Sequence, residues 1–268
     1  MTKTRVTGER VVTELGGFNP SFQRHVATYR LCAPLLPAGR VLDLGCGIGH
    51  SFALLAPRES VGVDNSPEAL AGQDRSTVLA DMRDLPFPDA SFASVLAVQS
   101  IEHVSDPERV LEEVARVLEP AGIAVFVTPN RLQFARPDEI IDPYHYVELA
   151  PDELRALCER FFADVELLGL FGSARWRVLV DEELERLDRL LRRDPLRLRR
   201  LVPRRVRQAL YDRLLTVNRV DRPDPRAEAI TPEDFELRGE DVDAAFDLVA
   251  VCRRPHRPAA SALIGGQL

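Results

Sequence analysis

The stretch VLDLGCGIGH, residues 41–50, decides the fold of this 268-residue chain. It begins with a short apolar run, Val41–Leu44, which is typical of a buried strand. Glycines then follow at alternate positions, as Gly45, Gly47 and Gly49. Because a glycine has no Cβ, these positions let the backbone bend sharply and let a ligand approach the main chain closely. The stretch therefore predicts a strand that ends in a ligand-binding turn.

Short apolar runs alternate with amphipathic stretches around this turn. The further predicted strands are Ser60–Val63, Thr77–Ala80, Ala93–Val98, Ile123–Thr128, Asp164–Leu168 and Asp247–Cys252. The predicted helices are Ser21–Leu36, His50–Ala56, one that starts at Ser66, one that starts at Asp106, and Asp152–Phe161. Strands and helices that alternate at short intervals are typical of a parallel sheet with helices on both faces. The sequence thus predicts an α/β fold.

The regular alternation ends near Phe171. We predict one domain over residues 21–254, which contains a helical cap inserted at residues 172–240. Residues 1–20 and 255–268 are predicted to be flexible termini. A chain of this length is large enough for one full core but hardly for two large domains.

Arginine dominates the predicted cap. The stretch Arg175–Arg222 contains 15 arginines against 8 acids. Amphipathic spacing predicts helices at Asp181–Arg193 and Pro203–Asn218. Three interpretations stay open: a cap with a solvated basic face, a lid that binds a phosphate or carboxylate of a substrate, and an interfacial helix that touches anionic lipid.

Composition argues against several classes of protein. The chain has 35 basic and 42 acidic residues, a net charge of −7, which disfavours a bulk nucleic-acid binder. Its four cysteines form no CxxC pair, so we expect no zinc cluster or disulfide framework, and a reducing cytoplasm fits best. We expect neither a signal peptide nor a membrane span, because there is no apolar signal core and no run of 18 apolar residues.

Three acids stand at the carboxyl ends of the first three predicted strands: Asp43, Asp64 and Asp81. In an open α/β sheet a ligand binds in the crevice at these strand ends. Asp64 comes 21 residues after Asp43, a spacing at which an acid can accept hydrogen bonds from both hydroxyls of a ribose. Asp81 is a candidate acceptor for the exocyclic amine of an adenine. The pattern predicts a site for a ligand with an adenosyl group.

Longer motifs strengthen this interpretation. They are VLDLGCGIGH (41–50), VGVDNS (61–66), LADMRDLPFPDASFASV (79–95), SIEHVSDP (100–107) and EVARVLEPAGIAVFVTPN (113–130). Together they resemble the class I S-adenosylmethionine-dependent methyltransferases, in particular the type 11 small-molecule subgroup. The resemblance covers Phe22–Leu170 and Phe246–Arg253. It implies a Rossmann-like, seven-stranded, mostly parallel sheet with helices on both faces and an antiparallel last strand, and it puts the helical insertion between strands 6 and 7.

The resemblance also implies the cofactor, S-adenosyl-L-methionine. In this family Asp43 and the glycine turn would face the methionine part, Asp64 would hold the ribose, and Asp81 would flank the adenine. The N-terminal helix, with Arg24 and His25, would close over the cofactor. The implied cofactor-binding residues are Tyr29, Asp43, Gly45, Cys46, Gly47, Gly49, Asp64, Asn65, Asp81, Met82, Gln99 and Ser100.

The candidate catalytic residues are His103, His145 and Tyr144. His103 follows the fourth strand, and the other two lie in Ile140–Tyr146, where this fold often builds the acceptor pocket. A general base is needed only if the acceptor must lose a proton. The alternative is that these side chains only support or pack beneath their loops. Gln99 stands where metal-dependent relatives carry a second glutamate, so no metal is expected.

We expect a cytoplasmic enzyme that transfers a methyl group to oxygen or nitrogen of a small-molecule, lipid-linked or sugar-linked acceptor. Nucleic acid is not an expected substrate, because Gln99–Glu102 lacks the Pro-Pro-aromatic pattern of base-directed enzymes. Peripheral membrane contact through the arginine-rich insertion stays open, as does the oligomeric state. An NAD(P)-dependent oxidoreductase is one alternative, although His50 replaces the last glycine of its fingerprint. A non-catalytic binding protein on the same fold is another.

Overall fold

The structure is a computed structural model that describes residues 19–134, 136, 138–194, 196–220 and 224–256, with no side chains described for 214–220. The termini predicted to be flexible lie almost entirely outside these residues. One sheet has the strand order β3-β2-β1-β4-β5-β8-β6-β7. Its strands are β1 Val41–Leu44, β2 Ser60–Asp64, β3 Ser76–Leu79, β4 Phe92–Val98, β5 Leu118–Pro129, β6 Phe162–Gly172, β7 Phe235–Arg238 and β8 Asp247–Pro255.

The sheet direction confirms the predicted class and corrects the strand count. β3, β2, β1, β4 and β5 pair in parallel, and β8 runs antiparallel between β5 and β6. The prediction of seven strands was wrong, because β7 adds an eighth, antiparallel to β6. β6 continues past the predicted end at Leu168 to Gly172, and this extension gives β7 an edge to pair with. With only four residues, β7 is too short for its alternation to be recognised in the sequence.

The helices are α1 Asn19–Cys32, α2 Pro67–Leu70, α3 Pro107–Val117, α4 Pro151–Glu159, α5 Ala174–Leu191, α6 Arg204–Val220 and α7 Pro225–Glu228. Capping explains two of their starts: Ser66 Oγ accepts the N–H of Ala69, and Asp106 accepts the N–H of Arg109. The helix predicted at His50–Ala56 is only a 3₁₀ turn, Phe52–Leu55. Pro57 directly follows Ala56, which is extended, so the turn cannot continue as a helix.

Apolar cores lie on both faces of the sheet. Adjacent residues of β1 point to opposite faces, so Leu42 belongs to one core and Val41 to the other. The first core includes Leu111 of α3, and the second includes Ala27 of α1 and Trp176 of α5. Helices therefore cover both faces, as predicted, and this leaves the carboxyl ends of the strands as the place for a site.

The insertion between β6 and β8 consists of α5, α6, α7 and β7. Trp176 is buried within it, with its ring 5.3 Å from that of Phe235 and 5.0 Å from that of Phe246. It is therefore a core residue and does not line the cavity described below. Among the described residues, no helix has the length and apolar character needed to cross a membrane.

Candidate active site

The glycine turn after β1 forms the floor of the site. Gly45 and Gly47 both have positive φ angles, +73° and +53°. A Cβ on Gly45 would lie 2.4 Å from the Cβ of Ser100, whereas a Cβ on Gly47 would meet no atom within 4 Å. Gly45 is thus required by close packing between β1 and the loop after β4. Gly47 instead borders open space, where its backbone is accessible to a ligand.

A cavity of about 280 Å³ opens above this turn, at the carboxyl ends of β1, β2 and β4. This is the position at which open α/β sheets bind their ligands. Its lining residues are His25, Gly45, Cys46, Gly47, Ile48, His50, Val63, Asp64, Asn65, Ala80, Asp81, Met82, Arg83, Val98, Gln99, Ser100, His103, Val104, Ser105 and Tyr146.

Asp43 supports the turn from beneath and does not line the cavity. It is 1% exposed, accepts a 2.7 Å hydrogen bond from Tyr29 Oη, and lies 2.7 Å from Arg75 Nη2. Burial raises the pKa of this carboxyl, although Arg75 and Tyr29 oppose the shift. Arg75 also stacks on Phe52 in the 3₁₀ turn, with its guanidinium carbon 4.7 Å from the ring centre. These contacts fix β1, α1 and the residues after α2 relative to one another.

Asp64 ties the glycine turn to the end of β2. Its Oδ2 accepts a 2.9 Å hydrogen bond from the N–H of Gly47, and its Oδ1 accepts one of the same length from Ser66. A carboxylate has about four lone-pair sites, so these bonds leave it able to accept further donors such as ribose hydroxyls. Its place on the cavity wall is compatible with the predicted ribose contact.

Asp81 has a partner that the sequence did not predict. Arg83 binds it through two nitrogens, at 2.9 Å and 2.6 Å. This hydrogen bonding lowers the pKa of Asp81, so the group is a carboxylate at neutral pH. Because Arg83 also lines the cavity, any contact between Asp81 and an adenine amine is made in competition with the guanidinium.

Aromatic rings from α1 and the glycine turn cover one side of the cavity. Phe22 stacks on His50 at 4.8 Å, His50 lies 4.6 Å from His25, and His25 stacks on Tyr29 at 5.0 Å. Burial lowers the pKa of His25 well below its usual value and that of His50 to about 4. Both histidines are therefore neutral at physiological pH, and the predicted closure of α1 over the site agrees with this placement of His25.

Gln99 and Arg24 meet at a buried acid at the end of the sheet. Gln99, with φ +50°, donates a 3.1 Å hydrogen bond to Asp247, and Arg24 lies 3.5 Å from the other oxygen of that acid. Burial raises the pKa of Asp247 against the effect of Arg24. Arg24 is thus held away from the cavity, whereas the left-handed backbone of Gln99 turns the chain into the loop that carries Ser100.

His103 is the candidate base that borders the cavity. Its Nδ1 lies 3.2 Å from the backbone carbonyl of Tyr144, and its ring packs edge-on against that of His145 at 5.1 Å. His145 Nδ1 is 2.8 Å from Glu148. Burial disfavours the charged form of His145, but Glu148 and the nearby acids Asp142 and Glu102 outweigh it and raise its pKa.

The loop after β5 is held by α6 of the insertion. Tyr144 Oη donates a 2.9 Å hydrogen bond to Asp212. Arg204 donates a 2.7 Å bond to the carbonyl of Pro143 and stacks on Tyr146, with its guanidinium carbon 3.5 Å from the ring centre. Since Tyr146 lines the cavity, α6 reaches the cavity mouth through this stack.

Comparison with known proteins decides the family. A family model described as a methyltransferase domain matches residues 42–126. A probable S-adenosylmethionine-dependent methyltransferase of Mycobacterium tuberculosis is 34% identical over 93% of this chain and 89% of its own length. A similarly named protein of Mycolicibacterium smegmatis is 32% identical over 93% of this chain and 95% of its own. This chain belongs to the S-adenosylmethionine-dependent methyltransferases.

Solved structures agree with this methyltransferase fold. A SAM-dependent methyltransferase from Thermotoga maritima has a TM-score of 0.59 and 17% sequence identity. The match covers 88% of this chain and 92% of that one. Like these relatives, this chain uses S-adenosylmethionine as its cofactor.

The cavity fits this cofactor on its own chemistry. S-adenosylmethionine carries a sulfonium and an ammonium group, and the carboxylates of Asp64 and Asp81 lie on the wall. The open space beside Gly47 admits a ligand against the backbone. Ser100 Oγ and His50 Nε2 are buried and have no hydrogen-bond partner among the described residues. Buried polar atoms are normally hydrogen-bonded, so a polar ligand in the cavity is the partner that we expect for them.

The cavity collects most of the residues predicted to bind the cofactor. Those that line it are Gly45, Cys46, Gly47, Asp64, Asn65, Asp81, Met82, Gln99 and Ser100. Tyr29, Asp43 and Gly49 do not line it, and neither do Tyr144 and His145 among the predicted catalytic residues. Burial raises the pKa of the Cys46 thiol to about 12, which makes it a small packing group rather than a nucleophile.

The sequence did not single out Arg75, Arg83 or Tyr146. Arg75 and Arg83 belong to an arginine-rich chain in which no local pattern marks them. Tyr146 ends the stretch that contains Tyr144 and His145, and its aromatic side chain is the one signal that was available.

Proposed function

We propose that this methyltransferase uses His103 as a general base and methylates a hydroxyl oxygen, or an amine nitrogen that must lose a proton. The acceptor is a small molecule or a lipid- or sugar-linked one. The hydrogen bond between His103 Nδ1 and the carbonyl of Tyr144 carries this proposal. A carbonyl oxygen can only accept, so Nδ1 holds a hydrogen, and in the neutral ring the lone pair is then on Nε2. The ring borders the cavity, and we assign its Nε2 lone pair to an acceptor bound there.

The bound cofactor supplies an electrophilic methyl group on a sulfonium, which leaves as a neutral thioether. As the acceptor's new bond to the methyl carbon forms, His103 takes the acceptor's proton at Nε2. A positioned base contributes typically 10²–10⁴-fold to the rate. Holding the acceptor in line with the methyl carbon can lower the activation barrier by about 7–11 kcal/mol. Positioning of the acceptor by the cavity walls therefore contributes more to the rate than the base does.

His145 and Tyr144 act in this proposal as positioning residues. Tyr144 supplies the carbonyl that orients His103, and its hydroxyl is fixed by Asp212. His145 packs against the His103 ring and is itself fixed by Glu148. Neither lines the cavity, which supports a role in orienting the base rather than in accepting the proton.

The experiment compares His103→Gln with His145→Gln. Incubation with methyl-labelled cofactor and fractionated cell extract first identifies an acceptor by the label it gains. We expect His103→Gln to lose about 10²-fold or more in kcat, while its affinity for S-adenosylhomocysteine stays within a few-fold of wild type. His145→Gln should lose less in kcat and raise the acceptor KM, because it loosens the loop. Wild-type kcat in His103→Gln would overturn the assignment.

A further inference from the structure

A stretch of the insertion, residues 190–210, exposes large apolar side chains. We call it the outer surface of the insertion. Its exposed apolar side chains are Leu190, Leu196, Leu198, Leu201, Val206 and Leu210. Leu196 and Leu201 are 78% and 82% exposed. Half of the large apolar side chains that are exposed among the described residues fall in this stretch. Such a concentration marks an interaction surface rather than a merely solvated cap.

Five of the eight arginines of the same stretch fall into an inner and an outer set. Arg197 lies 2.8 Å from Asp138, and Arg199 lies 2.6 Å from Glu139, so these two tie the stretch to the loop after β5. Those of the outer set, Arg193, Arg200 and Arg205, are exposed and form no ion pair within the described part of the chain. The inner set fixes the stretch in place, and the outer set leaves positive charge beside the exposed leucines.

The exposed leucines and arginines together exclude several classes of partner for this surface. Exposed leucines need an apolar environment, and free guanidinium groups need anions. Nucleic acid offers phosphates but no apolar layer, and a second copy of this surface would bring like charges together. A bilayer with anionic lipids offers both phosphates and an acyl boundary within one surface.

We propose that the outer surface of the insertion docks on an anionic lipid bilayer. Leu196, Leu198 and Leu201 enter the boundary between headgroups and acyl chains, and Arg193 and Arg200 contact lipid phosphates. Leu198 and Leu201 are the first and last residues of a 3₁₀ turn, and Arg200 is its third residue. Three exposed leucines and the neighbouring arginines supply the apolar and electrostatic contributions that reversible peripheral binding requires.

Docking would bring the bilayer close to the active site. Arg204 begins α6 directly after this turn and stacks on Tyr146, which lines the cavity. A lipid-linked acceptor in the bilayer would therefore reach the cavity mouth beside α6. This consequence rests on the proposed methyl transfer, whereas binding to the bilayer does not.

Co-sedimentation of the full chain with lipid vesicles tests the proposal. One set of vesicles contains phosphatidylcholine alone, and the other contains phosphatidylcholine and phosphatidylglycerol in equal amounts. We expect binding to the anionic vesicles that weakens with added salt, and little binding to the neutral ones. The double variant Arg193→Gln/Arg200→Gln should bind the anionic vesicles roughly 25-fold more weakly, since each arginine near such a surface contributes roughly a fivefold factor.

The leucines are tested in the same assay. Leu198→Ser/Leu201→Ser should lose vesicle binding about tenfold or more, since it removes most of the inserted apolar surface. Leu79→Ser, which changes a leucine that is 57% exposed on β3, serves as the matched control and should bind as wild type does. Titration with S-adenosylhomocysteine confirms that each variant is folded at the cofactor site.

Several results would overturn docking. One is that the wild-type chain does not sediment with anionic vesicles. Another is that both double variants bind them as wild type does. A third is a dimer in light scattering that dissociates in Leu198→Ser/Leu201→Ser, which would make the surface a contact between copies. RNA binding through the arginines without vesicle binding would also contradict it. None of these results touches the His103 proposal, whose own test contains no vesicles.

Discussion

Tyr29 Oη donates a 2.7 Å hydrogen bond to Asp43 Oδ1 and so joins the first helix to the strand beneath the glycine turn. Arg75 lies 2.7 Å from the other oxygen of the same carboxylate. The side chains of Arg75 and Asp43 are only 4% and 1% exposed. A buried ion pair and a buried phenol thus support the cavity from beneath and do not themselves line it.

Asp43→Asn is therefore expected to act on stability as well as on binding. Removing one partner of a buried ion pair leaves the other charge uncompensated, which costs about 3–5 kcal/mol. Tyr29→Phe loses one hydrogen bond to a charged group and should cost about 1.5–3 kcal/mol. Urea unfolding of both variants measures these losses. Equal stability of Asp43→Asn and wild type would show that the pair contributes nothing.

The glycine turn gives a prediction that separates strain from ligand access. Alanine at Gly47 meets no neighbouring atom but must adopt a positive φ of 53°, which costs about 1–2 kcal/mol. Its methyl group also projects into the open space at the cavity wall, so we expect S-adenosylhomocysteine to bind more weakly than that loss of stability explains. Alanine at Gly45 collides with Ser100 and should destabilise the fold more strongly. Calorimetric titration and thermal melting of both variants distinguish the two effects.

The neutral His50 ring predicts a loss of stability in acid. The pKa of His50 falls from 6.5 in the unfolded chain to about 4 in the fold, because burial disfavours the charged form. The unfolded state takes up the proton first, so the stability present above pH 6.5 is lost as the pH falls to about 4. The loss amounts to up to about 3 kcal/mol.

His50→Phe keeps an aromatic ring against Phe22 but cannot titrate. Its free energy of unfolding should fall less than that of wild type between pH 6.5 and about pH 4. His256→Gln, a change at an exposed histidine, is the matched control and should follow wild type. Parallel curves for wild type and His50→Phe would mean that His50 does not contribute to the acid response.

The sequence predicted most of the sheet and of the cavity wall, because both depend on local patterns. Apolar runs that end at Asp43 and Asp64 mark strand ends, and the carboxyl ends of parallel strands meet at one edge of a sheet. The glycines that follow Asp43 predict a turn from local sequence alone, independently of contacts with the rest of the chain. His103 was identified as bordering the site for the same reason, since it follows β4 directly.

Contacts between distant parts of the chain were harder to predict. The partner of Asp43 is Arg75, which lies 32 residues away (75 − 43) in a loop without a motif. β7 forms only because β6 extends far enough to pair with it. Tyr144 was expected near the acceptor, but its hydroxyl is held by Asp212 of α6, a contact that no local spacing encodes.

We expect S-adenosylmethionine to bind in the cavity at the ends of β1 and β2 and its affinity to depend on Asp64. Calorimetric titration with S-adenosylhomocysteine tests it most directly, in wild type, in Asp64→Ala and in the control Asp74→Ala, which removes an exposed acid outside the cavity. We predict saturable binding in the micromolar range by wild type and Asp74→Ala, no binding by a folded Asp64→Ala, and no binding of NAD by any of them. Wild-type affinity in Asp64→Ala would show that Asp64 does not hold the cofactor, and binding of NAD in place of S-adenosylhomocysteine would rule out this cofactor for the cavity.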